Sequence, residues 1–104
     1  MQYAAVFITT PNKKEARRIT KFLLDKRIIA CGNIVGGIES YFWWKDKKEK
    51  ASESLVMVKT RKSRLKELFA AVSKIHPYEV PEMIALPIAE GYKPYLEWIK
   101  KETA

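Results

Sequence analysis

The apolar residues of this chain change period along its length, and the order of those changes leaves few folds open. Residues 2–9 alternate weakly and are rich in β-formers, which predicts a strand. Thr10 and Pro11 then supply a helix cap and a first-turn proline. Ala16, Ile19, Phe22 and Leu23 recur at helical spacing, opposite Lys13, Glu15, Arg17, Arg18, Lys21 and Asp25. This helix is expected to end near Lys26 or Arg27. Residues 28–44 read as a second strand, long for a globular domain, with Gly36-Gly37 marking a bulge or bend within it. Residues 45–48 have the charge and turn chemistry of a hairpin tip. The strand returns over residues 53–60, with Leu55 and Met57 on one face and Val56 and Val58 on the other. A second helix starting at Thr60 or Ser63 carries the stripe Leu65, Leu68, Phe69, Val72 and Ile75. Residues 83–88 form a fourth strand. Residues 91–101 form a short closing helix with Pro94 in its first turn and Tyr95, Leu96 and Ile99 inward.

The order β-α-β-β-α-β plus a terminal helix predicts one α+β domain over residues 1–104. Its architecture is ferredoxin-like: an antiparallel sheet, two helices on one face, a long β2–β3 hairpin and a short C-terminal helix. Such helices cover one sheet face and leave the other bare. Tyr41, Phe42, Trp43 and Trp44 are consecutive on a strand, so both sides of that strand are aromatic. A patch of this size marks an interface. The C-terminal helix is the alternative cover, but it is small for the task.

At 104 residues the chain can bury roughly two thirds of its unfolded surface, enough for a core without metal or disulfide. Cys31 is the only cysteine, which points to a reducing, cytoplasmic setting. The first residues lack the basic and apolar regions of a signal peptide, and no stretch is long enough for a membrane span. The net charge of +8 attracts anions, yet the lysines are spread over polar helix faces as a solvated surface would spread them. One glutamine and two asparagines against 31% charged residues match a heat-adapted composition.

The segment from Lys74 to Glu82 holds the only histidine, His76, followed by Pro77, Tyr78, Glu79, Val80 and Pro81. Each proline ends helix and forces the residue before it into an extended conformation. The plainer reading is a rigid connector; the sharper one is a stiff scaffold for binding groups. The candidate metal donors are Cys31, His76, Glu79 and Glu82, with thiolate and imidazole suited to copper. A small, buried, unreactive hydrophobe is the expected role for Cys31. Glu53 and Lys59 share strand parity and could pair near a cleft or as an exposed cross-strand bridge. Catalysis finds little support, since no Ser-His-Asp order, metalloprotease motif or phosphate loop occurs. RNA binding by stacking on the sheet is disfavoured, because the third strand reads Ser54-Leu55-Val56-Met57-Val58 where stacking aromatics would be needed.

Five ordered blocks resemble one family. Ala30-Cys31-Gly32-Asn33 resembles an A-C-x-N segment, and residues 40–47 resemble an S-x-Y-x-W-x-G-K hairpin. Glu53 with Lys59-Thr60 fits E-x5-K-T. Residues 76–82 resemble H-P-Y-x-x-P-E, and Tyr95-Leu96-Glu97-Trp98 resembles Y-L-x-W. These are the blocks of the CutA (CutA1) divalent-cation-tolerance family. The resemblance implies a ferredoxin-like subunit forming a tight homotrimer, similar in assembly to PII signalling proteins, with Tyr41, Phe42, Trp43 and Trp44 in its interface. It also implies a cytoplasmic, non-enzymatic role in tolerance of copper and other divalent ions. Any metal would be held at clefts between subunits, with His76 ahead of Cys31 as a contact. Asn33, Glu53, Lys59, Tyr78, Glu79 and Glu82 are the matching cleft candidates. A PII-like sensor of a small anionic ligand is the alternative. The chain departs from the pattern at Phe42 and Asp46, and it carries Ile8 and Ile75 where some copper-binding members have cysteine and histidine.

Overall fold

The computed structural model describes residues 2–104. Met1, and with it the first residue of the expected domain, lies outside the described residues. The elements are β1 (Tyr3–Thr10), α1 (Lys13–Asp25), β2 (Cys31–Trp44), β3 (Lys47–Arg61), a single 3₁₀ turn (Lys62–Arg64), α2 (Leu65–Ile75), β4 (Met83–Pro87) and α3 (Lys93–Glu102). The four strands form one antiparallel sheet in the order β2-β3-β1-β4. The α+β class and ferredoxin-like strand order therefore hold.

Residues at even positions of β1 face the helices. Ala4, Val6 and Ile8 are fully buried, opposite Val56 and Val58 of β3. Val6, Ile8, Val56 and Val58 meet Ala16, Ile19 and Leu23 of α1 and Leu68 and Val72 of α2 in one apolar core. Gly32 lets α1 approach the sheet closely, since a Cβ there would stand 2.6 Å from Thr20 Cγ2. The opposite face carries Ala5, Phe7, Cys31, Asn33, Val35, Leu55, Met57, Lys59, Ile84 and Leu86 by register. Helix α3 covers one end of that face, where Ile99 packs with Tyr3, Ala30, Ile88 and Leu96. The remainder is open: Val35, Ile84 and Leu86 are all exposed.

Several boundaries move from their expected places. Asn12, rather than Thr10, caps α1; its Oδ1 accepts the Glu15 amide at 2.9 Å, while the Thr10 hydroxyl donates to the Asn12 carbonyl. Both residue types make good caps, and Pro11 between them is compatible with either choice. The second strand starts at Cys31 because residues 26–30 close the helix first, with Arg27 in the left-handed region at φ 58°. The hairpin turn is tighter than expected. Only Lys45 and Asp46 lie outside the strands, at φ 50° and 65°, the mirror-image turn that matches the right-handed twist of the paired strands. The long β2–β3 ribbon extends the molecule to 44 × 26 × 23 Å.

The expected irregularity at Gly36-Gly37 is a bulge between Val35 and Ile38. Gly37 sits at φ 69°, a conformation in which an L side chain is strained even though open space surrounds it. At Gly36 a new methyl would meet only the flexible end of Lys13. Gly37→Ala should therefore cost about 1–2 kcal/mol in urea unfolding, while Gly36→Ala costs much less. Equal losses would place the strain elsewhere.

Candidate functional site

The segment after α2 is fixed by one imidazole. Pro77 cannot continue the helix, so His76 leaves α2 in extended backbone at φ −72°, ψ 136°. Its ring turns inward and is 8% exposed. Nε2 lies 2.7 Å from the Thr9 carbonyl oxygen, and the Tyr78 amide donates to Nδ1 at 3.1 Å. A carbonyl can only accept and an amide N–H can only donate. The ring is therefore the neutral tautomer with its proton on Nε2. This links the end of α2 to the C-terminal end of β1. From the other side, Arg18 of α1 donates to the Ile75 carbonyl at 2.5 Å while pairing with Glu15. That pairing holds the Glu15 carboxyl below its usual range.

Tyr78 follows from the same constraint. Its ring tilts against the imidazole with centroids 4.9 Å apart, and its hydroxyl donates to Glu53 Oε2 at 2.6 Å. Glu53 is 7% exposed. Burial, then the Glu53 hydrogen bond and charge, push the Tyr78 phenol well above its ordinary value. Beside this pair a groove of about 460 Å³ is lined by Thr9, Glu39, Phe42, Trp44, Tyr78 and Glu82, among others. Glu79 lines an adjoining depression with Pro77 and Ala51.

The expected cleft residues thus divide into two places. Glu53, Tyr78, Glu79 and Glu82 gather at the groove. Asn33 and Lys59 lie at the other end of the bare face, where the Lys59 ammonium donates to Asn33 Oδ1. Glu53 and Lys59 do not pair. They pair in register with Ile38 and Cys31 respectively, about 20 Å apart along β3. Cys31 is half-buried on the bare face rather than enclosed in the core, with Sγ 3.7 Å from Asn33 Oδ1. Its expected burial is corrected, because strand parity places it opposite the helices. Tyr95, expected to point inward, is exposed at 39%; partial burial, then the neighbouring Cys31, raise its phenol. Thr9 and Glu39 were not singled out from the sequence. Thr9 contributes only a carbonyl, and the placement of Glu39 depends on the bulge that follows Val35.

The donor set of one chain does not fit a metal centre. Both ring nitrogens of His76 are engaged, so a metal ion would have to displace the Thr9 or Tyr78 bond. Ile8 is fully buried in the core and Ile75 packs against it. Among the described residues, no three His, Cys, Asp or Glu side chains converge as metal ligands. Among those residues, too, no helix is long and apolar enough to cross a membrane.

The Tyr78–Glu53 bond has a measurable consequence. A phenol whose folded-state pKa is raised contributes stability that is complete below pH 10 and is lost as pH rises further. In an ultraviolet titration Tyr78 should ionise after the exposed tyrosines. Tyr78→Phe should remove that late step and destabilise the chain by roughly 1–3 kcal/mol, because it leaves a buried carboxylate without its donor. An unchanged titration curve in this variant would contradict the bond.

The family model described as CutA1 divalent ion tolerance protein matches residues 4–102. The human protein CutA is 44% identical over 100 residues, covering 96% of this chain and 56% of the human protein. The divalent-cation tolerance protein CutA of Thermus thermophilus is 43% identical over 98 residues, covering 94% of this chain and 95% of that protein. The crystal structure of CutA1 from Oryza sativa matches at TM-score 0.96 and 42% identity, covering all of this chain and 95% of the other. The chain spans about half the length of its plant and animal relatives. Their names differ in compartment: one is chloroplastic in Oryza sativa, and the Archaeoglobus fulgidus structure is described as periplasmic. This chain belongs to the CutA1 divalent ion tolerance family.

Proposed function

We propose that this chain is a non-catalytic divalent-ion tolerance protein that works as a homotrimer and holds ions weakly in clefts completed by a neighbouring copy. The observation that carries the assembly is the uncovered sheet face. Val35, Ile84 and Leu86 are exposed there beside half-buried Phe7, Leu55 and Met57, and α3 reaches only one end. A cyclic arrangement buries this face in every copy and uses the hairpin to extend each sheet onto its neighbour. Phe42 and Trp44, on the side of the hairpin turned to the groove, form the centre of the proposed contact. Trp43 lies away from the groove, and Tyr41, which alternates with Phe42 along the strand, borders its rim.

His76 supports the non-catalytic reading. An imidazole acts as a general base only through a free ring nitrogen, and both nitrogens of this ring are bonded to backbone. Ion contact then falls to Glu39, Glu53 and Glu82, which line the groove. Carboxylates suit hard divalent ions better than copper. They also count against a small anionic ligand, and so against the PII-like sensor. Copper binding through His76 or Cys31 would need further soft donors from a second copy. The lone thiol fits a reducing cytoplasm, and the charge-rich composition fits a thermostable protein.

Sedimentation of the purified chain should give a trimer at micromolar concentration, and Trp44→Ala should weaken it. Calorimetry of the same sample should show weak binding of divalent ions and none of nucleotides. A stable monomer would end the assembly reading, and tight nucleotide binding would transfer the function to the sensor reading.

A further inference from the structure

The hairpin has a second aromatic side, centred on Trp43 rather than on Phe42 and Trp44. Tyr41 lies directly across from Lys50 and Trp43 from Lys48, and directly opposed residues share a side of the ribbon. The two rings are each 68% exposed. Each carries an ammonium 5.9 Å from its centroid, Lys48 over Trp43 and Lys50 over Tyr41. A shallow depression of about 190 Å³ runs between them, lined by Tyr41, Phe42, Trp43, Lys48 and Glu49. Along the strand the rings are about 6.7 Å apart, so each is accessible to a separate flat ligand. Glu39, two residues before Tyr41, ends the basic stretch away from the tip and borders the groove.

We infer that the Tyr41–Trp43 side of the hairpin binds single-stranded nucleic acid without sequence preference, the rings stacking successive bases while Lys48 and Lys50 meet the phosphates. An exposed cation–π contact is weaker than a base stacked on the same ring. An incoming base therefore displaces the lysine, and the freed ammonium turns to the backbone charge. This differs from stacking on the sheet, where the Ser54–Val58 stretch of β3 offers no aromatic ring. Duplexes fit poorly, because their bases are already stacked. The inference rests on the proposed assembly in one respect: the Phe42–Trp44 side is committed to a neighbouring copy and the opposite side is left open.

Fluorescence anisotropy with a labelled oligothymidylate of about 12 nucleotides tests it, with site sizes of ~4–16 nucleotides as the guide. Trp43→Ala and Tyr41→Ala should each weaken binding at least about fivefold, and Trp43→Phe should restore most of it. Lys48→Ala and Lys50→Ala should each reduce the slope of log affinity against log salt by about 0.7. The matching duplex should bind more weakly. Four results would overturn the inference: no saturable binding, equal binding of duplex, binding of phosphatidylserine vesicles in place of the oligonucleotide, or a changed subunit count on sedimentation of Trp43→Ala. The last would give this side to contacts between copies. Oligonucleotide binding by a chain that sediments as a monomer would keep the inference and remove the assembly reading instead.

Discussion

The neutral imidazole of His76 holds three parts of the molecule in one arrangement. Standing at the end of α2, it accepts from the backbone of the segment that follows and donates to the Thr9 carbonyl near the end of β1. Without that link, the residues between α2 and β4 would have few contacts to set their path. With it, Tyr78 is placed against the imidazole and within reach of Glu53. A buried carboxylate needs such a donor, since an unpaired charge in this position would be costly. The groove beside β3 therefore follows from a chain of polar contacts that starts at one ring.

The same chain of contacts separates structural from ligand chemistry. The residue types that suggested a metal centre are present, but they are either engaged or far apart. His76 spends both nitrogens on backbone, Cys31 lies near Tyr95 and Asn33, and the carboxylates sit at the opposite end of the face. What remains unsatisfied is apolar: a sheet covered by α1 and α2 on one side and by α3 over only part of the other. An edge-to-edge or face-to-face contact with further copies answers that condition at once, which is why the proposed function begins with assembly.

The fold was legible because strand and helix periods are clean where burial is one-sided. Leu65, Leu68, Phe69, Val72 and Ile75 keep helical spacing because α2 has one core face, and Gly36-Gly37 marked the bulge because only a residue without a side chain enters that conformation readily. The candidate site was less legible. Strand parity puts Cys31 and Lys59 on the bare face, but parity alone could not say how much of that face α3 covers. The roles of Thr9 and Asn12 rest on a backbone carbonyl and a one-residue shift in a cap, neither of which composition reports. That His76 is a structural link rather than a free donor depends on two partners, one of them 67 residues away in sequence.

Because the chain has a single histidine, its ring can be observed alone. Long-range proton–nitrogen correlation of the labelled imidazole at neutral pH reports which nitrogen carries the proton. One protonated nitrogen, Nε2, and one unprotonated acceptor, Nδ1, are expected, in a pattern that added zinc does not change. A proton on Nδ1, rapid exchange between tautomers, or a zinc-induced shift of either nitrogen would show that the ring is not the fixed link on which the groove depends.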